Sequence, residues 1–176
     1  DTKDGNALEG AAYLEAQFGG LYGGLRGFIA RETDISRADL YLGYRGTTGQ
    51  GFTYDVSYTQ FYYPKSGGDC CGQLGLDVGV PIGGRGTGKF DLAVSPADSE
   101  FSAAVGLDYA VTDQLSVGVD YGLYDFDISS TERQWELGAD YTVSDRVKTG
   151  VAWHDGSAQD GFLAVSVDFK TSLLSR

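Results

Sequence analysis

Residues 105–126, VGLDYAVTDQLSVGVDYGLYDF, alternate between apolar side chains and small or acidic ones, with one interruption at 112–114. A period of two places every second side chain on the same face of a strand, so the segment predicts a hairpin with one apolar and one polar face. The pattern fits a soluble sheet that covers a core and equally a membrane barrel that faces lipid. The function of the chain depends on which of the two it forms.

The same alternation recurs along the whole chain and predicts eleven strands. Abundant glycine (27), tyrosine (12) and phenylalanine (9), with only 3 prolines and no methionine, also favours strands over helices. We therefore predict an all-β, antiparallel, up-and-down fold in a single domain, 1–176. The predicted strands are 11–18, 21–30, 38–45, 52–63, 73–80, 89–95, 101–111, 115–124, 134–143, 147–154 and 162–169.

The two predicted faces differ sharply in charge. One carries leucine, valine and aromatic residues with almost no charge, and the other carries glycine, serine, alanine and an excess of acids. We interpret the polar face as the lining of an aqueous interior, where small residues leave room. The candidate pore-lining residues are Glu15, Arg26, Asp39, Arg45, Asp55, Asp77, Asp108, Asp120, Glu136, Asp140, Lys148 and Asp168.

One uniformly apolar face on many strands, a glycine-rich polar face, unequal connections and aromatic belts favour a transmembrane β-barrel over the alternative, a soluble β-sandwich with its acidic face in solvent. No apolar run approaches the roughly 18 residues of a membrane helix, so any insertion uses strands. Short turns at 19–20, 112–114 and 144–145 alternate with longer polar connections at 30–36, 63–72, 95–100, 125–133 and 154–160, although 80–89 breaks this order. Aromatic residues collect in two belts near the strand ends, as in outer-membrane barrels. The predicted belts are Tyr44, Tyr54, Tyr109, Tyr141 and Phe169 on the turn side, and Tyr62, Phe101, Trp135 and Trp153 on the loop side.

A family resemblance covers about the first 80 residues. The segments ADLYLGYRG (38–46) and FTYDVSYTQFYYP (52–64) resemble paired strands of the TorF-type porins, and GAAYLEAQFGGLYGGLRGFIA (10–30) resembles the preceding hairpin of that family. The resemblance implies an outer-membrane barrel of a Gram-negative bacterium. Members carry one more strand before this point, and bacterial barrels have even strand numbers. Eleven visible strands thus lead us to expect twelve in the complete barrel, with the first absent or missing from this chain.

Catalytic, metal-binding and nucleic-acid functions find little support in the sequence. A formal charge of −12 leaves no basic stripe for phosphates, so no nucleic-acid partner is expected. No metal-ligand or nucleotide-binding motif occurs, and we predict no enzyme, no cofactor and no metal. His154 beside Asp155 is interpreted as a hydrogen-bonded surface pair at a loop mouth. The glycine-rich 85–89 is interpreted as a flexible connection.

The two adjacent cysteines, Cys70 and Cys71, fall in the predicted loop after the fourth strand. A disulfide between neighbouring residues is a candidate but strained, and it would constrain that loop. The alternative is an intermolecular bridge.

Together these observations predict a narrow porin-like channel in the bacterial outer membrane, its export signal removed or not included. Small cationic or neutral polar solutes would pass, with the inward acids as selectivity elements. The alternative function is a non-conducting structural or interaction barrel whose loops bind a partner protein. The expected partners are the outer-membrane bilayer, small solutes or ions, and either a protein partner or further copies of the chain.

The membrane interpretation predicts folding that depends on detergent. Refolded in detergent micelles, the protein is expected to be rich in strand by circular dichroism and to migrate differently on a gel when unheated. The apolar face has no other cover in water. A chain that is folded and monodisperse in plain buffer would show instead that the fold is a soluble sheet.

Overall fold

A computed structural model of the protein describes residues 9–30, 36–64, 68–97, 100–125, 131–158 and 160–172. These residues form one antiparallel sheet in which each strand pairs with the next along the chain. The strands are β1 (Glu9–Phe18), β2 (Leu21–Ala30), β3 (Ser36–Thr47), β4 (Thr53–Tyr63), β5 (Gly68–Ile82), β6 (Gly86–Ser95), β7 (Glu100–Ala110), β8 (Leu115–Asp125), β9 (Thr131–Ser144), β10 (Val147–Gly156) and β11 (Phe162–Phe169). The predicted all-β, up-and-down fold is confirmed.

Most strand bounds agree with the predicted ones to within three residues, and β5 is the main exception. It was predicted over 73–80 but begins at Gly68, because Tyr62 and Tyr63 of β4 extend the ladder by pairing with Asp69 and Gly68. Cys70 and Cys71 therefore lie within a strand, so their predicted loop position is wrong.

The cysteines coincide with an irregularity in the ladder. Gln60 pairs with Gly72 and Tyr62 pairs with Asp69, so the two cysteines together oppose the single residue Phe61. Two residues opposite one is the arrangement of a β-bulge, which increases the local twist of a strand. Cys71 is disulfide-bonded. The side chain of Cys70 is not among those that the structure describes.

The prediction that the glycine-rich segment 85–89 is a flexible connection is wrong. Only residues 83–85 form the turn, and β6 starts at Gly86, which pairs with Ile82 on one side and Tyr109 on the other. Gly83 has a φ of 63°, a left-handed conformation that side chains with a Cβ adopt at a cost, so glycine is suited to this tight turn. Gly19 plays the same part between β1 and β2 with a φ of 61°.

The connections differ in length less than predicted. One end of the sheet has the connections 19–20, 48–52, 83–85, 111–114 and 145–146, and the other has 31–35, 64–67, 96–99, 126–130 and 157–161. The predicted loops shrink because β5, β9 and β10 extend into the polar segments assigned to them. We refer to the two ends as the turn end and the loop end.

The side chains that point outward are large, apolar and exposed. In β7 and β8 the outward positions include Val105, Leu107, Val117 and Val119, each exposed, while the residues between them are half-buried. Tyr22 is the one buried residue among the large hydrophobic ones described, so the described residues form no apolar core of the kind found in water-soluble domains. An apolar surface this extensive marks contact with a membrane or a partner.

The predicted aromatic belts follow the same outward positions. All of these side chains are exposed except Tyr54, which is half-buried and stacks on Tyr44 with ring centroids 6.3 Å apart. Among the described residues, no helix is long and apolar enough to cross a membrane.

The sheet curls, with its polar face inside. Tyr13 and Glu15 of β1 line the same cavity as Tyr124 of β8, although six strands separate β1 from β8. Within the described ranges, no pairing joins β1 to β11. The twelfth strand stays a prediction.

Two neighbouring residues of β8 test the assignment of the faces. Val119 points outward between Leu107 and Leu137, whereas Asp120 points inward between Gly106 and Glu136. Val119→Arg is expected to reduce the free energy of unfolding by about 2–4 kcal/mol if the position lies near the bilayer midplane. Asp120→Asn is expected to change it by under about 1 kcal/mol, because its ion pair is partly exposed. Denaturant titration in lipid vesicles measures both, and equal effects would show that the faces are wrongly assigned.

Candidate functional site

The polar face encloses a cavity of about 600 Å³, formed by β1–β8. Its wall combines tyrosine rings, two guanidinium groups, carboxylates, and small or amide side chains. Tyr13, Glu15, Tyr22, Arg26, Tyr41, Arg45, Ser57, Thr59, Gln73, Gly75, Asp77, Asp91, Leu92, Ala93, Ser102, Ala103, Ala104 and Tyr124 line it.

Arg45 on β3 is the centre of a network that spans four strands. Its Nη2 lies 2.8 Å from Oε2 of Glu15 on β1, and its Nε lies 3.5 Å from Oδ2 of Asp55 on β4. The hydroxyl of Tyr22 on β2 donates a 2.5 Å hydrogen bond to Oδ1 of the same Asp55. The guanidinium carbon of Arg45 lies 3.6 Å from the centroid of the Tyr22 ring, within the range of a cation–π contact. One cation is thereby shared by two carboxylates, and the group keeps one uncompensated negative charge.

Glycines make these long contacts possible. Tyr22 pairs with Gly43 in the register of β2 and β3, and its ring crosses that glycine to reach Asp55 on β4. Gly24 of β2 likewise lies beneath the ring of Tyr41, and Glu15, which pairs with Gly24, reaches across β2 to Arg45. An alanine Cβ at either glycine would overlap a tyrosine ring.

Asp39 on β3 is fully buried between two arginines. Its Oδ2 lies 3.1 Å from Nη2 of Arg26, and its Oδ1 lies 2.8 Å from Nε of Arg37. Phe28 lies beneath both guanidinium groups, at 5.0 Å from Arg26 and 4.2 Å from Arg37, and Phe61 lies 5.1 Å from Arg37. Two cations and stacked rings compensate the desolvation of one carboxylate.

Three acids lie side by side on β4, β5 and β6. Asp55 pairs directly with Asp77, and Asp77 pairs directly with Asp91. Like charges in directly opposite positions repel each other and destabilise a sheet. Asp55 has Arg45, but in the described part of the chain neither Asp77 nor Asp91 forms an ion pair with a basic side chain.

Lys89 on β6 is shared by two further acids toward the turn end. Its Nζ lies 3.0 Å from Oδ1 of Asp108 and 2.9 Å from Oδ1 of Asp120. Both carboxylates fold over glycines of the neighbouring strand, Asp120 over Gly106 and Asp108 over Gly118. The side chains therefore lie along the wall.

The strands β9–β11 carry a smaller cavity of about 190 Å³ with two further pairs. Lys148 lies 2.9 Å from Asp140, and Nδ1 of His154 lies 3.2 Å from Oε2 of Glu136. His154 also stacks on Phe162 with ring centroids 4.8 Å apart. The predicted pairing of His154 with Asp155 at a loop mouth is wrong: His154 points inward from β10 toward Glu136, whereas Asp155 accepts a hydrogen bond from the backbone of Gly156.

The structure places all twelve candidate pore-lining residues on the polar face, in three groups. The first is at the main cavity: Glu15, Arg26, Arg45 and Asp77 line it, and Asp39 and Asp55 bind two of its arginines. The second is Asp108 and Asp120, which share Lys89. The third is at the smaller cavity: Glu136 and Asp140 line it, Lys148 binds Asp140, and Asp168 pairs in register with Lys148. Sequence reasoning missed Arg37 and the cavity-lining tyrosines Tyr13, Tyr22, Tyr41 and Tyr124. Their positions in the alternation are those of the acids, so strand parity would have found them.

A metal site finds no support in this arrangement. In the described ranges, no three His, Cys, Asp or Glu side chains are grouped so that they could hold a metal ion.

Comparison with known proteins places this geometry in a family. Residues 1–159 match the family described as Gram-negative porin. The chain belongs to the Gram-negative porins. Membership and fold point to a channel rather than an enzyme, embedded in the bacterial outer membrane and passed by small solutes.

Solved structures show the same fold at low sequence identity. This porin is similar to the KdgM porin with a TM-score of 0.78 and 10% identity, over 94% of this chain and 96% of that one. It is also similar to a porin refined at 1.8 Å, with a TM-score of 0.52 and 16% identity, over 90% of this chain and 60% of that one. No curated protein matches the sequence significantly.

Asp39 is expected to be the most costly carboxylate of this porin to neutralise. Asp39→Asn leaves Arg26 and Arg37 without their shared counter-charge and is expected to reduce the free energy of unfolding by about 2–3 kcal/mol. The matched control is Asp140→Asn, which removes an exposed pair and is expected to cost under about 1 kcal/mol. Denaturant titration of both variants in lipid vesicles measures the two losses. Equal losses would mean that the burial of Asp39 does not increase its contribution to the free energy of unfolding.

Proposed function

We propose that this porin is a narrow channel for small cationic and neutral polar solutes. The observation that carries the proposal is the directly paired Asp77 and Asp91, which line the main cavity without a basic partner among the described residues. Fixed carboxylates on a pore wall attract cations and repel anions.

The other described ion pairs show how Asp77 and Asp91 differ from the remaining acids of the polar face. Arg45 is shared by Glu15 and Asp55, Lys89 is shared by Asp108 and Asp120, and Asp140 has Lys148. Each shared cation offsets only one of its two carboxylates, so each of these groups keeps one uncompensated negative charge. Asp77 and Asp91 have no cation among the described residues, so together they carry two, the largest uncompensated charge on the wall of the main cavity.

Size and screening are consistent with conduction. A volume of about 600 Å³ lies within the range of about 300–1,000 Å³ that holds small molecules. Directly paired residues in an antiparallel sheet have Cα atoms about 4.5–5.5 Å apart, which is less than the Debye length of about 8 Å at physiological ionic strength. The two charges therefore act on a passing ion together.

Two finer assignments belong to the same proposal. The motifs at 38–46 and 52–64 support placement among the TorF-type porins. The broad outward apolar surface suits lipid, and it also leaves room for contact with further copies of the chain or with a partner protein.

The double variant Asp77→Asn/Asp91→Asn tests the selectivity. It is expected to shift the reversal potential in a planar bilayer under a salt gradient toward zero, because the unpaired charges are removed while the shapes of the side chains are kept. The control is Asp113→Asn/Asp145→Asn, which removes the same charge from turns outside the cavity and is expected to leave the reversal potential unchanged.

Two outcomes would contradict the proposal. An unchanged reversal potential in the double variant would mean that these acids do not set selectivity. A folded wild-type barrel without conductance would favour the non-conducting interaction barrel.

A further inference from the structure

The β2–β3 wall of the main cavity is built in three layers. The backbone of Gly43 forms the first, the ring of Tyr22 lies across it as the second, and the guanidinium of Arg45 stacks on that ring as the third. Tyr22 is only 6% exposed, although it belongs to the polar face. Tyr124, which lines the same cavity, is only half-buried, and Tyr13 on the edge strand β1 is 59% exposed.

A second tyrosine–glycine pair lies beside the first, with the tyrosine on β3 and the glycine on β2. Tyr41 of β3 pairs with Gly24 of β2, and a Cβ at Gly24 would overlap the Tyr41 ring. The two rings have centroids 6.1 Å apart at an angle of 53°. Tyrosine and glycine thus exchange places between neighbouring strands, and both rings are held against the wall.

The position of Arg45 depends on the first of these pairs, Tyr22 over Gly43. Its long side chain is held from below by the Tyr22 ring and at its edges by Glu15 and Asp55. The Tyr22 hydroxyl also binds Asp55, so the ring fixes both the cation and one of its counter-charges. Anything that lifts the ring moves the guanidinium toward the centre of the cavity.

We propose that Tyr22 and Gly43 are positioning residues for conduction: the ring lies on the glycine and Arg45 lies on the ring, so the height of the ring above the wall sets how far Arg45 reaches into the lumen. The inference rests on the proposed channel function. It adds residues that carry no charge to those that govern passage.

Gly43→Ala and Tyr22→Ala are expected to change conduction in opposite directions. The added Cβ lifts the ring and Arg45 inward, which lowers single-channel conductance and excludes smaller neutral polyethylene glycols. Tyr22→Ala removes the ring, so conductance and the size limit rise. Tyr22→Phe loses the hydrogen bond to Asp55 but keeps the ring over Gly43, so it is expected to keep the wild-type size limit for neutral polyethylene glycols. The control is Gly27→Ala in β2, where a Cβ meets nothing within 4 Å.

The double variant Gly43→Ala/Tyr22→Ala shows whether Gly43→Ala lowers conductance through the Tyr22 ring or by disturbing the fold in general. If the ring transmits the effect, Tyr22→Ala restores conductance in the Gly43→Ala background to at least the wild-type value, a strong coupling between contacting residues. A Gly43→Ala loss that persists without the ring would overturn the proposal. Unchanged conductance in Tyr22→Ala would overturn it as well, even if Gly43→Ala failed to fold.

A chemical measurement keeps this inference distinct from the channel function. Nitration by tetranitromethane, mapped by mass spectrometry on the folded protein in detergent, is expected to modify Tyr13 and spare Tyr22. In Gly43→Ala, Tyr22 becomes reactive. A silent wild-type barrel with this nitration pattern would refute conduction but not the seating of the ring, whereas rapid nitration of wild-type Tyr22 would refute the seating itself.

Discussion

The structure depends on one constraint: a backbone in lipid has no water with which to satisfy its N–H and C=O groups. Each inner strand of this sheet meets that demand through ladders on both sides, with registers that continue to the strand ends. The side chains therefore do not need to form an apolar core, as they do in a water-soluble domain. The apolar ones cover the outside, and the polar ones are left to define an interior.

The ion pairs of that interior contribute more to its charge pattern than to its stability. Most are partly exposed, and such pairs are each worth about 0–1 kcal/mol. Their effect is to cancel charges in some places and leave them in others. Arg45 and Lys89 each offset one of the two carboxylates that they contact, while Asp77 and Asp91 have no cation among the described residues. The buried Asp39 differs, because its arginines compensate a real cost of desolvation.

Strand number, direction and faces were predictable, because alternation with a period of two reports them directly. The ends of β5 were not, since Gly68 and Asp69 join the sheet only through Tyr62 and Tyr63 of the neighbouring strand. The tyrosines of the cavity were missed because tyrosine was counted as apolar, although Tyr22 shares the parity of Arg26. The individual pairs were out of reach as well, because Arg45 meets Glu15 two strands away and alternation along one strand does not report contacts across an intervening strand.

The odd number of described strands has a geometric consequence for the two outer edges of the sheet. In an antiparallel meander every odd strand runs the same way, so β1 and β11 both run from the loop end to the turn end. Direct pairing of these edges would be parallel, unlike every other ladder in the sheet. Two copies inserted with the same orientation would face the same restriction, because their edges also point in one direction. An antiparallel ladder at either edge requires a strand of opposite polarity.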